Sequence, residues 1–298
     1  MANSIALVTK FLAILDELYK KNSLTSSLDA PTKPVEFGGA AAVNVLKLSA
    51  VGLGTYSRAT GYPAGDVTAA WETLTLAAQR GRALSVDRMD NEETLGMAFG
   101  KLSDEFMRVY VAPEVDAYRF SKYASWSGIS EVGTPATLST AAEVLAAFDV
   151  AMAQLDADEV PAEGRKMFIA TGIYSLLKGA VTRSFANENG VDRNILTLDK
   201  VEVIPVPQTR FYKGITLDAG ATASAGGYAK TGSTGRDINF MILHPTAVLQ
   251  AVKHDNMKYF GPDENQTADA HLLQYRIYHD AFVYTNHVKG VYSHIKGS

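Results

Sequence analysis

A chain of 298 residues with 47% hydrophobic and 20% charged residues has the balance of one or two folded domains, not of a disordered segment. A net charge of −4 argues against chain-wide attraction to nucleic acid and leaves only locally basic faces for such contact. The absence of cysteine excludes disulfides, thiolate catalysis, cysteine zinc sites and iron–sulfur clusters, and no apolar run reaches the roughly 20 residues of a membrane span.

The N-terminal stretch repeats apolar residues at three- and four-residue steps: Ile5, Val8, Phe11, Leu12, Leu15, Leu18 and Tyr19. This predicts an amphipathic helix with Ser4 as its N-cap. It lacks the basic start and small-residue cleavage site of a signal peptide, and Asp16 and Glu17 follow its apolar part. A helix so short is marginal alone and is expected to dock on something. A polar strap with prolines, Ser23 to Pro34, comes next.

Alternation then takes over. Val43, Val45 and Lys47 fall on one face of a strand, with Leu46 and Leu48 on the other. Gly52 to Asp66 holds four glycines and a proline and reads as a long flexible loop. Val67 to Asp87 reads as one returning strand, with Val67, Ala69, Trp71, Thr73 and Thr75 set against Leu74 and Leu76. Two long strands with a thin apolar set on each face make an extended hairpin that cannot be stable alone. A partner is implied, with Tyr56, Arg58, Tyr62 and Trp71 as the expected contact residues.

Asp87, Asp90, Asn91, Glu92 and Glu93 crowd the next stretch and could either bind a metal or start a helix. Asp90 as N-cap with Glu93 three residues on forms a capping box, and the helix dipole favours acids in the first turn. The flanking sequence offers no further ligands, so the helix start is preferred. From Asn91 to about Ala124 a stripe of Leu95, Phe99, Leu102, Phe106, Val109, Tyr110, Ala117 and Phe120 predicts a helix long enough to act as a spine. Pro113 should kink or divide it.

Glu131 to Asn239 reads as a separate α/β unit. The box Thr140-x-x-Glu143 opens a helix, Lys166 to Ala170 is a buried strand, and a helix follows around Ile173 to Val181. Val201 to Tyr212 is a strand placed at a sheet edge by its prolines, and Asp218 to Asp237 is glycine-rich loop. The last sixty residues are mostly strand-like.

No chemistry-bearing constellation stands out. The six histidines, His244, His254, His271, His279, His287 and His294, have no helical zinc spacing. His279-Asp280 could be half of a catalytic pair, but no serine sits in a G-x-S-x-G elbow. Gly227 to Thr234 has phosphate-loop spacing with Ser233 where the lysine belongs, and no basic stripe is interleaved with aromatics. No catalytic residue, no cofactor and no metal is expected.

The sequence of elements, together with the stretches "SLTSSLD", "GLGTYSRATGYPAGDVT", "RGRALSVDRMDNEET", "DADEVPAEGR", "VPQTRFY" and "RDINFMI", resembles the major capsid proteins of tailed bacteriophages. The resemblance implies an α+β chain with the Hong Kong 97-type capsid fold. It implies an N-arm over 1–34, an extended β-hairpin loop over 35–82, a peripheral domain with the spine helix over 83–130 and an axial domain over 131–239. C-terminal strands over 240–298 would return to the peripheral domain.

The implied function is structural: self-assembly into hexamers and pentamers of an icosahedral shell around a double-stranded DNA genome. The implied location is the virion, with assembly in the host cytoplasm and no membrane partner. A separate scaffolding protein, a portal, decoration proteins and nonspecific contact with packaged DNA belong to the same expectation. The N-terminal scaffolding segment that some relatives carry is not expected here, which is why a separate scaffolding protein is. The type member's cross-link is not expected either, because the tip Gly52 to Asp66 contains no lysine. The rivals are an encapsulin-type compartment of the same fold, separated by nucleic acid in the particles, and a metal-dependent hydrolase, separated by metal analysis.

Overall fold

The computed structural model describes residues 23–28, 37–38, 42–89, 102–103, 105–180, 195–222 and 225–297. The arm helix expected from Ser4, and the helix start at Asp90 and Glu93, lie outside the described residues.

A short three-stranded sheet comes first: β1 (Phe37–Gly38), β2 (Ala42–Ala50) and β3 (Val67–Thr75). β2 and β3 form the expected antiparallel hairpin, in register from Ala42 opposite Thr75 to Ala50 opposite Val67. The return strand differs from the sequence reading. It ends at Thr75, and after Leu76 and Ala77 a separate strand, β4 (Ala78–Asp87), begins. The cause is a change of partner: Leu76 packs with Val43 and Leu74 at the hairpin base, whereas β4 is paired with a C-terminal strand.

The spine is helical through its described residues, but Met107–Val111 forms a π turn before α1 (Ala112–Ala124). The Ala112 N–H donates to the Met107 carbonyl five residues back, and Pro113 sits in the first turn of α1. Proline brings no N–H and crowds the preceding turn. The widened turn absorbs that crowding, so the expected break becomes a π bulge inside a continuing helix. Nearly all of α1 is buried, Asp116 and Arg119 included.

The α/β unit runs through β5 (Ser130–Glu131), α2 (Ala141–Ala157), β6 (Lys166–Ala170) and α3 (Thr171–Ala180). It continues through β7 (Thr197–Leu198), β8 (Val201–Val206), β9 (Tyr212–Lys213), β10 (Ile215–Leu217), β11 (Tyr228–Lys230) and β12 (Arg236–Leu243). The capping box opening α2 is present: the Glu143 N–H donates to Thr140 Oγ1, and the Thr140 N–H donates to the Glu143 carboxylate. The glycine-rich stretch is less irregular than expected, because β11 pairs with β10 in a two-stranded ribbon.

The chain ends with β13 (Val248–Phe260), β14 (Ala270–Val283) and β15 (Val291–Ile295). The first two form a sheet in the order β13-β14-β4, while β15 joins the larger sheet in the order β5-β15-β12-β6-β8-β7. The C-terminal residues therefore serve two sheets. β8 lies next to the edge and not on it. Among the described residues its outer neighbour is β7, which pairs with Val201 and Glu202, so Pro205 sits beyond that cover and costs no ladder bond.

Among the described residues, two of the four apolar clusters lie where helices cover sheets. α2 and α3 press Val144, Phe148, Leu155 and Leu177 onto Met167, Ile169, Phe240 and Ile242 of the large sheet. The spine covers one face of the other sheet, with Met107, Val111 and Val115 against Met257, Leu273, Tyr275 and Ile277. A further cluster joins the two sheets: Phe120, edge-on to Phe168 at 5.1 Å and to Phe211 at 5.0 Å, is buried with Met241 and with Ala281 and Val283 of β14.

Candidate functional site

The β2–β3 hairpin is where apolar side chains are left without cover. Directly opposed residues share a face, so Leu46 with Trp71, Leu48 with Ala69 and Ala50 with Val67 make one continuous apolar surface. Leu46 is 53% exposed, Leu48 59%, Val67 68% and Trp71 66%. Single exposed apolar residues need no explanation, but a contiguous set on a two-stranded ribbon marks an interaction surface.

The tip is a built turn. Ser57 and Gly61 exchange backbone hydrogen bonds of 2.8 and 3.2 Å, and Gly61 takes the left-handed conformation (φ 81°) that this closure requires. The Tyr56 and Tyr62 rings lie 4.9 Å apart, with Arg58 exposed on the turn between them. Tyr56, Arg58 and Tyr62 are thus brought together, while Trp71 lies on the strand face with Leu46. Leu46, Leu48, Leu53 and Val67 were not singled out as contact residues. The alternation had already placed Leu46 and Leu48 on one face and Val67 and Trp71 on another, and only the register shows that these faces are the same.

The hairpin is fixed to the body at its base and by two further bonds along the ribbon. Val43, Leu74 and Leu76 are buried against Leu249, Ala251 and Phe282. Thr285 Oγ1 donates to the Glu72 carboxylate at 2.8 Å, and Asn286 Nδ2 donates to the Leu48 carbonyl at 3.3 Å.

Two buried carboxylates organise the surroundings. Asp116 of α1 accepts from Ser23 Oγ and Thr25 Oγ1, both at 2.8 Å, and from the Leu24 and Thr25 N–H groups, and it pairs with Arg210 at 3.2 Å. Arg119 Nη1 donates to Thr25 Oγ1, so the strap is clasped to the spine by charge-assisted bonds. Asp280 of β14 accepts from Tyr118 Oη at 3.0 Å and lies 3.7 Å from Lys122. Burial, and then the charge of Asp280, push the Tyr118 hydroxyl above its usual range, so it stays a donor.

Beside Asp280, burial lowers His279 to about 3, with the Arg119 and Arg80 charges adding to the effect. Its Nδ1 has no hydrogen-bond partner, and the ring packs edge-on against Tyr118 at 5.2 Å. Burial also lowers His294. Among the described residues no three His, Asp or Glu side chains converge as a metal site would require, and none of their helices is long and apolar enough to cross a membrane.

No family model and no curated protein matches the sequence. Solved structures do match the fold. A structure from Mycobacterium phage Che8 aligns with a TM-score of 0.59 at 14% identity, covering 85% of this chain and 84% of that one. The capsid structure of the cyanophage P-SCSP1u aligns at 0.56 and 12%, covering 88% and 85%. A virus-like particle from Pyrococcus furiosus aligns at 0.57 and 11%, covering 96% and 98%. The chain therefore has the Hong Kong 97-type fold of these capsid structures.

Proposed function

We propose that the chain is the major capsid protein of a tailed phage, assembling with itself as hexamers and pentamers into an icosahedral shell around double-stranded DNA. The observation that carries this reading is the bare apolar face of Leu46, Leu48, Val67 and Trp71 on a hairpin whose base alone is buried in its own subunit. Such a surface reaches its free-energy minimum only against another molecule. In a closed symmetric lattice every copy both offers and covers it. The subunit's work is therefore geometric: assembly buries what folding left exposed.

In this reading the virion is the location, and Tyr56, Arg58, Tyr62 and Trp71 touch neighbouring subunits. A separate scaffolding protein, a portal and decoration proteins are the further partners. DNA contact is nonspecific, through basic side chains facing inward. The test is expression of the chain with and without scaffold, followed by negative-stain microscopy and sedimentation. Closed shells support the reading, and soluble monomers at every concentration and with scaffold present oppose it.

A second reading is an encapsulin-type compartment enclosing protein cargo, favoured by the near-complete mutual coverage with the Pyrococcus particle. Nuclease-protected DNA in particles recovered from the native source supports the phage shell; protein cargo without DNA supports the compartment.

A further inference from the structure

The joint between hairpin and body is two residues long, Leu76 and Ala77, and there the chain passes from the β2 ladder to the β14 ladder. A joint that short, with its peptide groups left to water, would let the hairpin swing. It is not left to water. Tyr278 Oη donates to the Leu76 carbonyl at 3.0 Å, and the Ala77 N–H donates to Asp280 Oδ2 at 2.8 Å. Both holding side chains come from β14, two residues apart and so on one face of that strand.

Asp280 is 1% exposed, and its other oxygen receives the Tyr118 hydroxyl of the spine at 3.0 Å. A carboxylate buried to that degree is costly unless its acceptor sites are filled. The joint amide fills one oxygen, and the spine hydroxyl with the Ala281 N–H at 2.8 Å fills the other. The same atoms that satisfy the charge therefore set where the hairpin leaves the body.

We propose that Tyr278 and Asp280 are the positioning residues of the hairpin, holding the Leu76–Ala77 joint at two points and tying it to the spine through Tyr118. The inference rests on the assembly reading for its consequence but not for its geometry. In a shell the hairpin must meet its neighbour at a fixed angle, so a loosened joint gives closure errors without a comparable loss of subunit stability.

The test uses the full chain with Tyr278→Phe, Asp280→Ala and Asp280→Asn, measured by amide exchange over residues 74–80, thermal melting and particle diameter. Tyr278→Phe should speed exchange at the joint about fivefold, the population change of one lost hydrogen bond, with melting close to wild type and diameters broadened. Asp280→Asn retains an oxygen for the Ala77 N–H, although its amide nitrogen then faces the Ala281 N–H, so it should exchange more slowly at the joint than Asp280→Ala. Unchanged exchange in Tyr278→Phe, or particle defects that merely track melting temperature across the variants, would overturn the proposal. If the wild type forms no particles, the assembly reading fails, and the exchange measurements still decide whether the joint is held.

Discussion

β2–β3 and β13–β14 are both long antiparallel ribbons with alternating side chains, yet they meet different fates. β13–β14 carries β4 along one edge and the spine across one face, so Met257, Leu273, Tyr275 and Ile277 are buried. Among the described residues β2–β3 has only the short β1 along its edge, and Leu46, Leu48, Val67 and Trp71 are left exposed. The sequence spends apolar residues on both. On the proposed reading, the difference is that one ribbon is covered by its own chain and the other by a neighbouring copy.

That contrast can be broken on its covered side first. Asp116→Ala removes the acceptor that clasps the strap and leaves Arg210 without its partner carboxylate. It should destabilise the subunit by about 4 kcal/mol, the typical cost of breaking a buried charge pair, as read by chemical denaturation. Leu273→Ala, under the spine, should cost about 3 kcal/mol as a core truncation; a melt within error of wild type would mean that the spine does not cover this sheet.

Acid should act through the same covered region. His279 titrates near 3 in the folded subunit against about 6.5 when unfolded, so the unfolded chain binds more protons in between. Its contribution is fully present above about 6.5 and is lost as pH falls toward 3. The loss should reach at most about 2 kcal/mol at pH 5, and His279→Gln should flatten that part of the stability–pH curve. The smallest effect should come from Thr140→Ala, about 1 kcal/mol for a lost N-cap on α2, with no change in assembly.

The elements set by neighbouring residues were readable before the structure. The alternation through Leu46 and Leu48, the box of Thr140 and Glu143, and the apolar run at Lys166 to Ala170 each state their own conformation. What was not readable depends on residues far away in the chain. Nothing local ends β3 at Thr75; the strand changes partner because Asp280, 203 residues on, accepts the Ala77 N–H. Asp116 gives no sign within its helix that it will receive Ser23 and Thr25 from more than 90 residues upstream. Pro113 announced a disturbance, but whether a helix breaks or bulges is decided by how tightly its neighbours hold it, and α1 is buried on nearly every side.

The central claim is that the bare ribbon face is for assembly and not for folding. Trp71→Lys together with Leu46→Lys puts two charges on that face at opposed positions while leaving the buried base untouched. Melting temperature and sedimentation of the double variant, measured beside wild type under assembly conditions, test the claim most directly. The account predicts a melting transition essentially that of the wild-type subunit, within the roughly 0.5 kcal/mol expected of surface changes, and no closed particles. A subunit that unfolds, or one that still closes into wild-type shells, would contradict it.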